Sequence, residues 1–364
     1  MKYIIQLPTG SWSTMDYSSQ DILHRLQMVV ELVPVDKVIL GWYPDPHMYQ
    51  SIGAFLNSRG IDMVLWMPVF SEVGDFVPVD PAKDLWGNAI DSCLAQQGET
   101  FNFCCPSSDT NIRAVLDIYR NHYSQCGFKG VFLDRIRTHS FGGGVAGVLS
   151  CGCDNCRRKF LDRGLSLDLV AEEYDRLGDD FFSISDYSPA QGYSFANKLA
   201  SDFFKIKGHI VSDSISELCR CFKDMGLTVG LDLFAPLVSD FVGQDYPLLA
   251  SHADFIKPML YRRTLAPAGV GYEYDLLHQH APSATGYPQM QMDRNFLLAQ
   301  VESLKGLPCA KFPGVEINYN QQLVPTDPEY IRSSIQTIIQ GGADGVTLSW
   351  NIMEAPREHI LALQ

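Results

Sequence analysis

The chain lacks long hydrophobic runs. No stretch of its 364 residues approaches the about 18 consecutive apolar residues of a membrane span. The N-terminus, MKYIIQLPTGSW, offers one lysine and an apolar run that Pro8 ends almost at once, without the length or the cleavage site of an export signal. A soluble, cytoplasmic protein with no membrane partner is the expectation. Positive charge is also scarce: 28 Lys and Arg stand against 42 Asp and Glu, a formal net charge of −14. That balance argues against a nucleic-acid partner, because phosphates need a basic face. Ten cysteines in 364 residues are too few for a disulfide scaffold. Repeats, low-complexity segments and Pro/Gly/Ser linkers are missing too. The expected organisation is therefore one catalytic domain over 1–364, with a polar and aromatic loop insertion at about 138–195. The sequence leaves a homo-oligomer open.

What is present is an alternation of short apolar runs with helix-length segments. The runs are KYIIQLP from residue 2, KVILGWYP from 37, MVLWMPVF from 63, GVFLDRIR from 130, TVGLDLFAP from 228, DFIKPMLYRR from 254, FPGVEINYN from 312 and GVTLSWNIM from 345. Between them lie amphipathic segments such as DTNIRAVLDIYRNHYSQCG and KLASDFFKIKGHIVSDSISELCRCFKDMG, the second stopped by Gly226. Eight strands separated by helices predict an α/β fold, a (β/α)8 TIM barrel. A doubly wound sheet would announce its nucleotide site by a glycine-rich turn after the first strand; here that turn is LPTGSW, with one glycine.

Three of the cysteines, Cys151, Cys153 and Cys156, fall within CGCDNC just after the fourth run. Their spacing suits a knuckle that turns sulfurs inward, and a tetrahedral zinc site needs a fourth ligand. Cys104 and Cys105 of CCPSS supply candidates on the preceding strand's loop. One structural zinc stapling two neighbouring loops is the expectation; reduced thiols packed as small hydrophobes are the alternative. Four sulfurs would leave no open position, so the metal is expected to be structural. Cys93, Cys126, Cys219, Cys221 and Cys309 show no such grouping and are expected to pack in the core or on helices.

The CPSS turn followed by CxCxxC resembles the zinc cluster of family 42 β-galactosidases and related clan A barrels, over about a seventh of the chain. By position the resemblance implies Cys105, Cys151, Cys153 and Cys156 as the zinc ligands. In addition, GLDLFAPLVSDFVGQDYPLLASHADFIKPMLY and GVFLDRIR resemble segments of uncharacterised glycosyl hydrolase barrels. These resemblances imply a glycosidase with a zinc-stapled loop region, and fix no sugar.

In a (β/α)8 barrel, chemistry sits at the carboxyl ends of the strands. Asp134, Asp232 and Glu316 each end an apolar run, and burying a carboxylate is costly unless it is paired or used. Two opposed carboxylates suit glycoside hydrolysis. Clan A carry-over makes Asp134 the acid/base and Glu316 the nucleophile, which requires the two to face each other across one hollow. Clan A has Asn-Glu at the fourth strand where this chain has Leu133-Asp134, so Asp134 as nucleophile with Asp232 or Glu316 as acid stays open. Trp42, Trp66, Tyr261, Tyr319 and Trp350 are placed to stack on sugar rings, and Gln6, Asp45, His47, Lys257 and Asn318 to meet hydroxyls. His47 and His139 read as loop histidines. The expected function is a two-carboxylate glycoside hydrolase, retaining by the clan A analogy, acting on small oligosaccharides or glycosides. A barrel that binds carbohydrate without cleaving it, and a sugar lyase or isomerase, are the rival readings.

Overall fold

The computed structural model describes residues 1–71, 80–90, 101–281 and 290–364. Each of the eight apolar runs becomes a parallel barrel strand. In chain order the strands are β1 (Lys2–Pro8), β2 (Val35–Gly41), β3 (Asp62–Pro68), β4 (Gly130–Asp134), a hairpin of β5 (Ile184–Ser188) and β6 (Gly192–Phe195), then β7 (Thr228–Phe234), β8 (Phe255–Met259), β9 (Ala310–Lys311), β10 (Gly314–Glu316) and β11 (Gly345–Ser349). The sheet runs β1-β2-β3-β4-β7-β8, passes through the short pair β9 and β10, and returns by β11 to β1, so the barrel is closed. Phe312 and Pro313 split the seventh barrel strand into those two pieces; proline has no N–H to give a ladder. This is the (β/α)8 barrel that the alternation predicts.

Side-chain parity divides the core in two. Ile4, Ile39, Val64, Phe132, Phe255 and Phe312 point inward and plug the lower barrel, with Phe132 and Phe255 stacked at 6.0 Å. The opposite parity packs against the helix ring. Gly230 on β7 makes the plug feasible: a Cβ there would lie 2.1 Å from the Phe255 ring. Because the plug fills the lower barrel, any solvent-facing chemistry is confined to the upper end.

Helices begin where capping side chains permit. Ser18 and Asp21 form a reciprocal cap on Ser19–Val30, Asp45 caps Pro46–Asn57, and Asp327 caps Pro328–Gln340. The long segment after the insertion is one helix, Lys198–Asp224. The segment expected as a loop insertion contains short helices at Gly144–Val148, Asp154–Asp162 and Leu167–Leu177 besides the hairpin. Its aromatics give the reason. Phe182 packs on Phe141 and Phe204, and Tyr193 and Phe195 meet Phe241. No helix among the described residues is long and apolar enough to cross a membrane.

Candidate active site

β4 and β7 are neighbours in register, Leu133 lying opposite Leu231. One residue on, Asp134 at the end of β4 and Asp232 within β7 line the same cavity of about 270 Å³. Trp42, Trp66, Tyr261 and Trp350 stand around it, and Gln6 and Lys257 lie deeper. Trp42 and Trp66 pack at 5.2 Å, and Tyr261 and Trp350 at 5.8 Å. The lining is aromatic and apolar with a few convergent polar groups, the make-up of a small-molecule site.

The two aspartates differ in their partners. Asp134 accepts from Trp66 Nε1 at 2.9 Å and from the Arg135 amide at 2.6 Å. Arg135 is in the left-handed region, with φ of 52°, and its guanidinium lies over Phe101. Asp232 is buried and paired with Lys257, Nζ to Oδ2 at 2.9 Å. Burial pushes the Asp232 pKa up to about 7; Lys257 draws it down and the charge of Asp134 adds to the rise. Burial thus shifts Asp232 towards its protonated form, against the pull of Lys257. Its Oδ1, Gln6 Nε2 and Trp42 Nε1 are buried without a partner among the described residues. Unpaired buried polar atoms around a cavity are what a polar ligand would satisfy.

Glu316 is placed differently. It is fully buried and does not belong to the cavity lining. Its Oε1 accepts from the Arg263 amide at 2.7 Å. Burial raises its pKa, opposed by that amide, the Tyr330 hydroxyl and the Arg262 charge. Glu316, the last residue of β10, thus supports the loop after β8 with its carboxylate, whereas Asp134 lines the cavity. Two residues expected to meet hydroxyls make backbone contacts. Asp45 accepts from the His47 and Met48 amides as a helix cap. Asn318 braces the loop after β11, accepting from the Trp350 and Asn351 amides and donating to Asn351 O. Tyr319 is exposed, His47 is exposed, and His139 is buried beside Phe103; none of the three lines the cavity.

Several lining residues escaped sequence reasoning: Phe101, Phe234, Met259 and the segment Thr264, Ala266, Pro267 and Ala268. Phe234 and Met259 share strand parity with Asp232 and Lys257, so alternation alone could have found them. Arg137 lies between the Phe103 and Phe234 rings.

Beside the mouth, Cys105, Cys151, Cys153 and Cys156 place their sulfurs within 4.8 Å of one another, all buried. Cys105 is 3.2 Å from Cys153 and 3.5 Å from Cys156. A tetrahedral metal bound at about 2.3 Å would hold sulfurs about 3.8 Å apart, so the cluster fits a metal. Hydrogen bonds from Cys105, Cys151 and Cys156 pull the Cys153 thiol down, whereas Cys105 and Cys156 are pushed up. Unaided, the cluster does not favour several thiolates at once; a cation would. The buried Lys207 braces the surroundings, donating to Val148 O at 2.7 Å and Phe241 O at 2.9 Å. Cys104 points instead to Val69 O. Cys126, Cys219 and Cys309 are buried singly and Cys221 is half-buried; Cys93 lies outside the described residues.

No protein-family model matches the chain, and no curated protein does; the likeness of its cysteine loop to family 42 β-galactosidases has no counterpart there. Solved structures do match. The glycoside hydrolase domain of PgaB (BpsB) from Bordetella bronchiseptica aligns with a TM-score of 0.62 at 16% identity, over 99% of this chain and 95% of that one. An α-L-fucosidase isoenzyme from Paenibacillus thiaminolyticus gives 0.54 at 11%, over 100% and 48%. A class V chitinase from Pseudomonas fluorescens Pf-5 gives 0.50 at 10%, over 100% and 98%. At these identities the likeness establishes the barrel that this chain shares with glycoside hydrolases.

Proposed function

We propose that the chain is a glycoside hydrolase in which Asp134 and Asp232 are the working carboxylates. The observation that carries the reading is their shared position: adjacent strands, one aromatic-walled cavity, and different partners for the two acids. Asp232, whose pKa burial raises, gives its proton to the glycosidic oxygen as the bond to the anomeric carbon breaks. Asp134, held by Trp66 and Arg135, attacks that carbon and forms a glycosyl ester. A water then gives a proton back to Asp232 and cleaves the ester, restoring both groups. This two-step course is that of a retaining enzyme, for which the two carboxyl groups stand about 5–5.5 Å apart.

The structural likeness to a glycoside hydrolase domain, a fucosidase and a chitinase agrees with this chemistry. Pocket size favours a small glycoside or the end of a short oligosaccharide, since about 270 Å³ lies at the lower edge of ordinary ligand pockets. Trp42, Trp66, Tyr261 and Trp350 would stack on the ring. Cys105, Cys151, Cys153 and Cys156 would hold one zinc; with four sulfurs its contribution is structural, fixing two loops beside the mouth.

The test is a panel of aryl glycosides assayed with wild type, Asp134→Asn, Asp232→Asn and Glu316→Gln. Loss of turnover in both aspartate variants with retention in Glu316→Gln supports the assignment. Full activity of either aspartate variant overturns it, and binding without turnover by wild type across the panel favours the non-catalytic sugar-binding barrel.

A further inference from the structure

Lys257 is an unusual residue to find inside a barrel. It sits on β8, 1% exposed, directly above the apolar plug. Its Nζ donates to Asp232 Oδ2 at 2.9 Å and to Gln6 Oε1 at 2.8 Å, and lies over the rings of Phe132 and Tyr261 at 5.5 and 5.4 Å. With two strong acceptors and two ring faces around it, the ammonium is not positioned as a free sugar contact. The chain makes room for it. A Cβ at Gly314 on β10 would come within 3.0 Å of Lys257 Cε and 2.9 Å of Tyr261 Cε1, so a larger residue there would displace both.

We propose that Lys257 is a positioning residue for the proton donor: anchored by Gln6, it fixes the Asp232 carboxyl in the cavity and sets the pH at which that carboxyl releases its proton. The proposal rests on the reading of Asp232 given above. The pair spans β7 and β8, and Gln6 reaches it from β1 across the barrel interior. Asp232 is thereby held by its Oδ2 with Oδ1 left unpartnered among the described residues, and a proton donor needs one such oxygen for the substrate. Lone burial of a carboxylate would raise its pKa and leave it free to rotate; a buried cation at one oxygen lowers the pH at which it releases its proton and fixes its orientation. The other charged or titratable groups facing Asp232 are Asp134 from β4, Arg137 from the loop after β4, Tyr246 from the helix Tyr246–Ala250, and Tyr261 after β8. Asp134 opposes release of the proton, as does any ionised tyrosine, and Arg137 favours it, so Lys257 is the partner in direct contact.

Two readouts separate this inference from the hydrolase reading. The first needs no substrate: 13C NMR titration of protein labelled at aspartate Cγ, the Asp232 resonance identified by its loss in Asp232→Asn. Lys257→Met is expected to raise the Asp232 midpoint by about 1–3 pH units, the effect of removing an adjacent opposite charge, and Lys257→Arg to return it towards wild type. The second is the pH profile of kcat/KM on an active glycoside. Its alkaline limb should move upward in Lys257→Met together with a fall in kcat of at least about tenfold, the cost of misplacing a proton donor. Should Lys257→Met not fold, Gln6→Leu takes its place, with the same direction of midpoint and kcat expected. An unmoved Asp232 midpoint in whichever variant folds overturns the inference. A moved midpoint with no glycoside turned over would uphold the positioning role and sink the hydrolase reading instead.

Discussion

Asp232 and Glu316 are two buried acids on strands of one barrel, Asp232 within β7 and Glu316 at the end of β10, and they end in different circumstances. Both follow apolar strand residues, both are buried, and in both burial raises the pKa. Asp232 opens onto the cavity with a lysine at one oxygen. Glu316 accepts the Arg263 amide and lies outside the lining. A buried acid at a strand end therefore does not by itself mark an active site. What separates the two is whether a cavity lies in front of the carboxylate and whether a second acid shares it.

The contrast is sharpest in rate. Asp232→Asn is expected to lower kcat/KM by about 10²–10⁴, the usual worth of general acid catalysis, and Asp134→Asn by as much, in an aryl glycoside assay. Glu316→Gln should leave turnover close to wild type. The pH profile separates them next. Because the Asp232 pKa is raised to about 7 and the group acts as an acid, kcat/KM should fall as pH rises through about 7. Glu316 should show itself in stability instead. Its folded pKa lies above its unfolded one, so the native state binds its proton more tightly, and stability is lost as pH rises from the unfolded towards the folded value. Thermal melts from about pH 4 to about pH 8 should show a smaller loss for Glu316→Gln than for wild type.

Weaker effects test the frame around both acids. Gly230→Ala places a methyl against Phe255 and should cost about 1–3 kcal/mol in denaturant unfolding, the range for overpacked cores. Asp45→Ala removes a helix cap and should cost about 1 kcal/mol with kcat/KM unchanged, which checks that this acid belongs to neither side of the comparison. For the cysteines, Cys156→Ser should reduce zinc content measured by atomic emission and lower the melting temperature.

Much of the barrel was legible because its strands are written as short apolar runs with helices between them. Gln6, Lys257, Trp66 and Asp134, expected near strand ends at the barrel mouth, line one cavity. The capping role of Asp45 also had a signal in the sequence: an aspartate directly before a proline at the first turn is a helix start. Glu316 could not have been placed by pattern. Its direction depends on the Arg263 amide of another strand's loop and on the early end of β10. The cysteine cluster was readable in its three close members; which of Cys104 and Cys105 joins them depends on the turn before Asp109–Ile118.

The six apolar side chains beneath Lys257 have a consequence for traffic. Among the described residues they close the hollow from below, so that traffic runs through the upper end. In the two-step chemistry proposed here, the released aglycone has to vacate that end before a water can approach the ester. Small, readily departing aglycones should therefore be turned over with less delay than bulky ones of equal acidity.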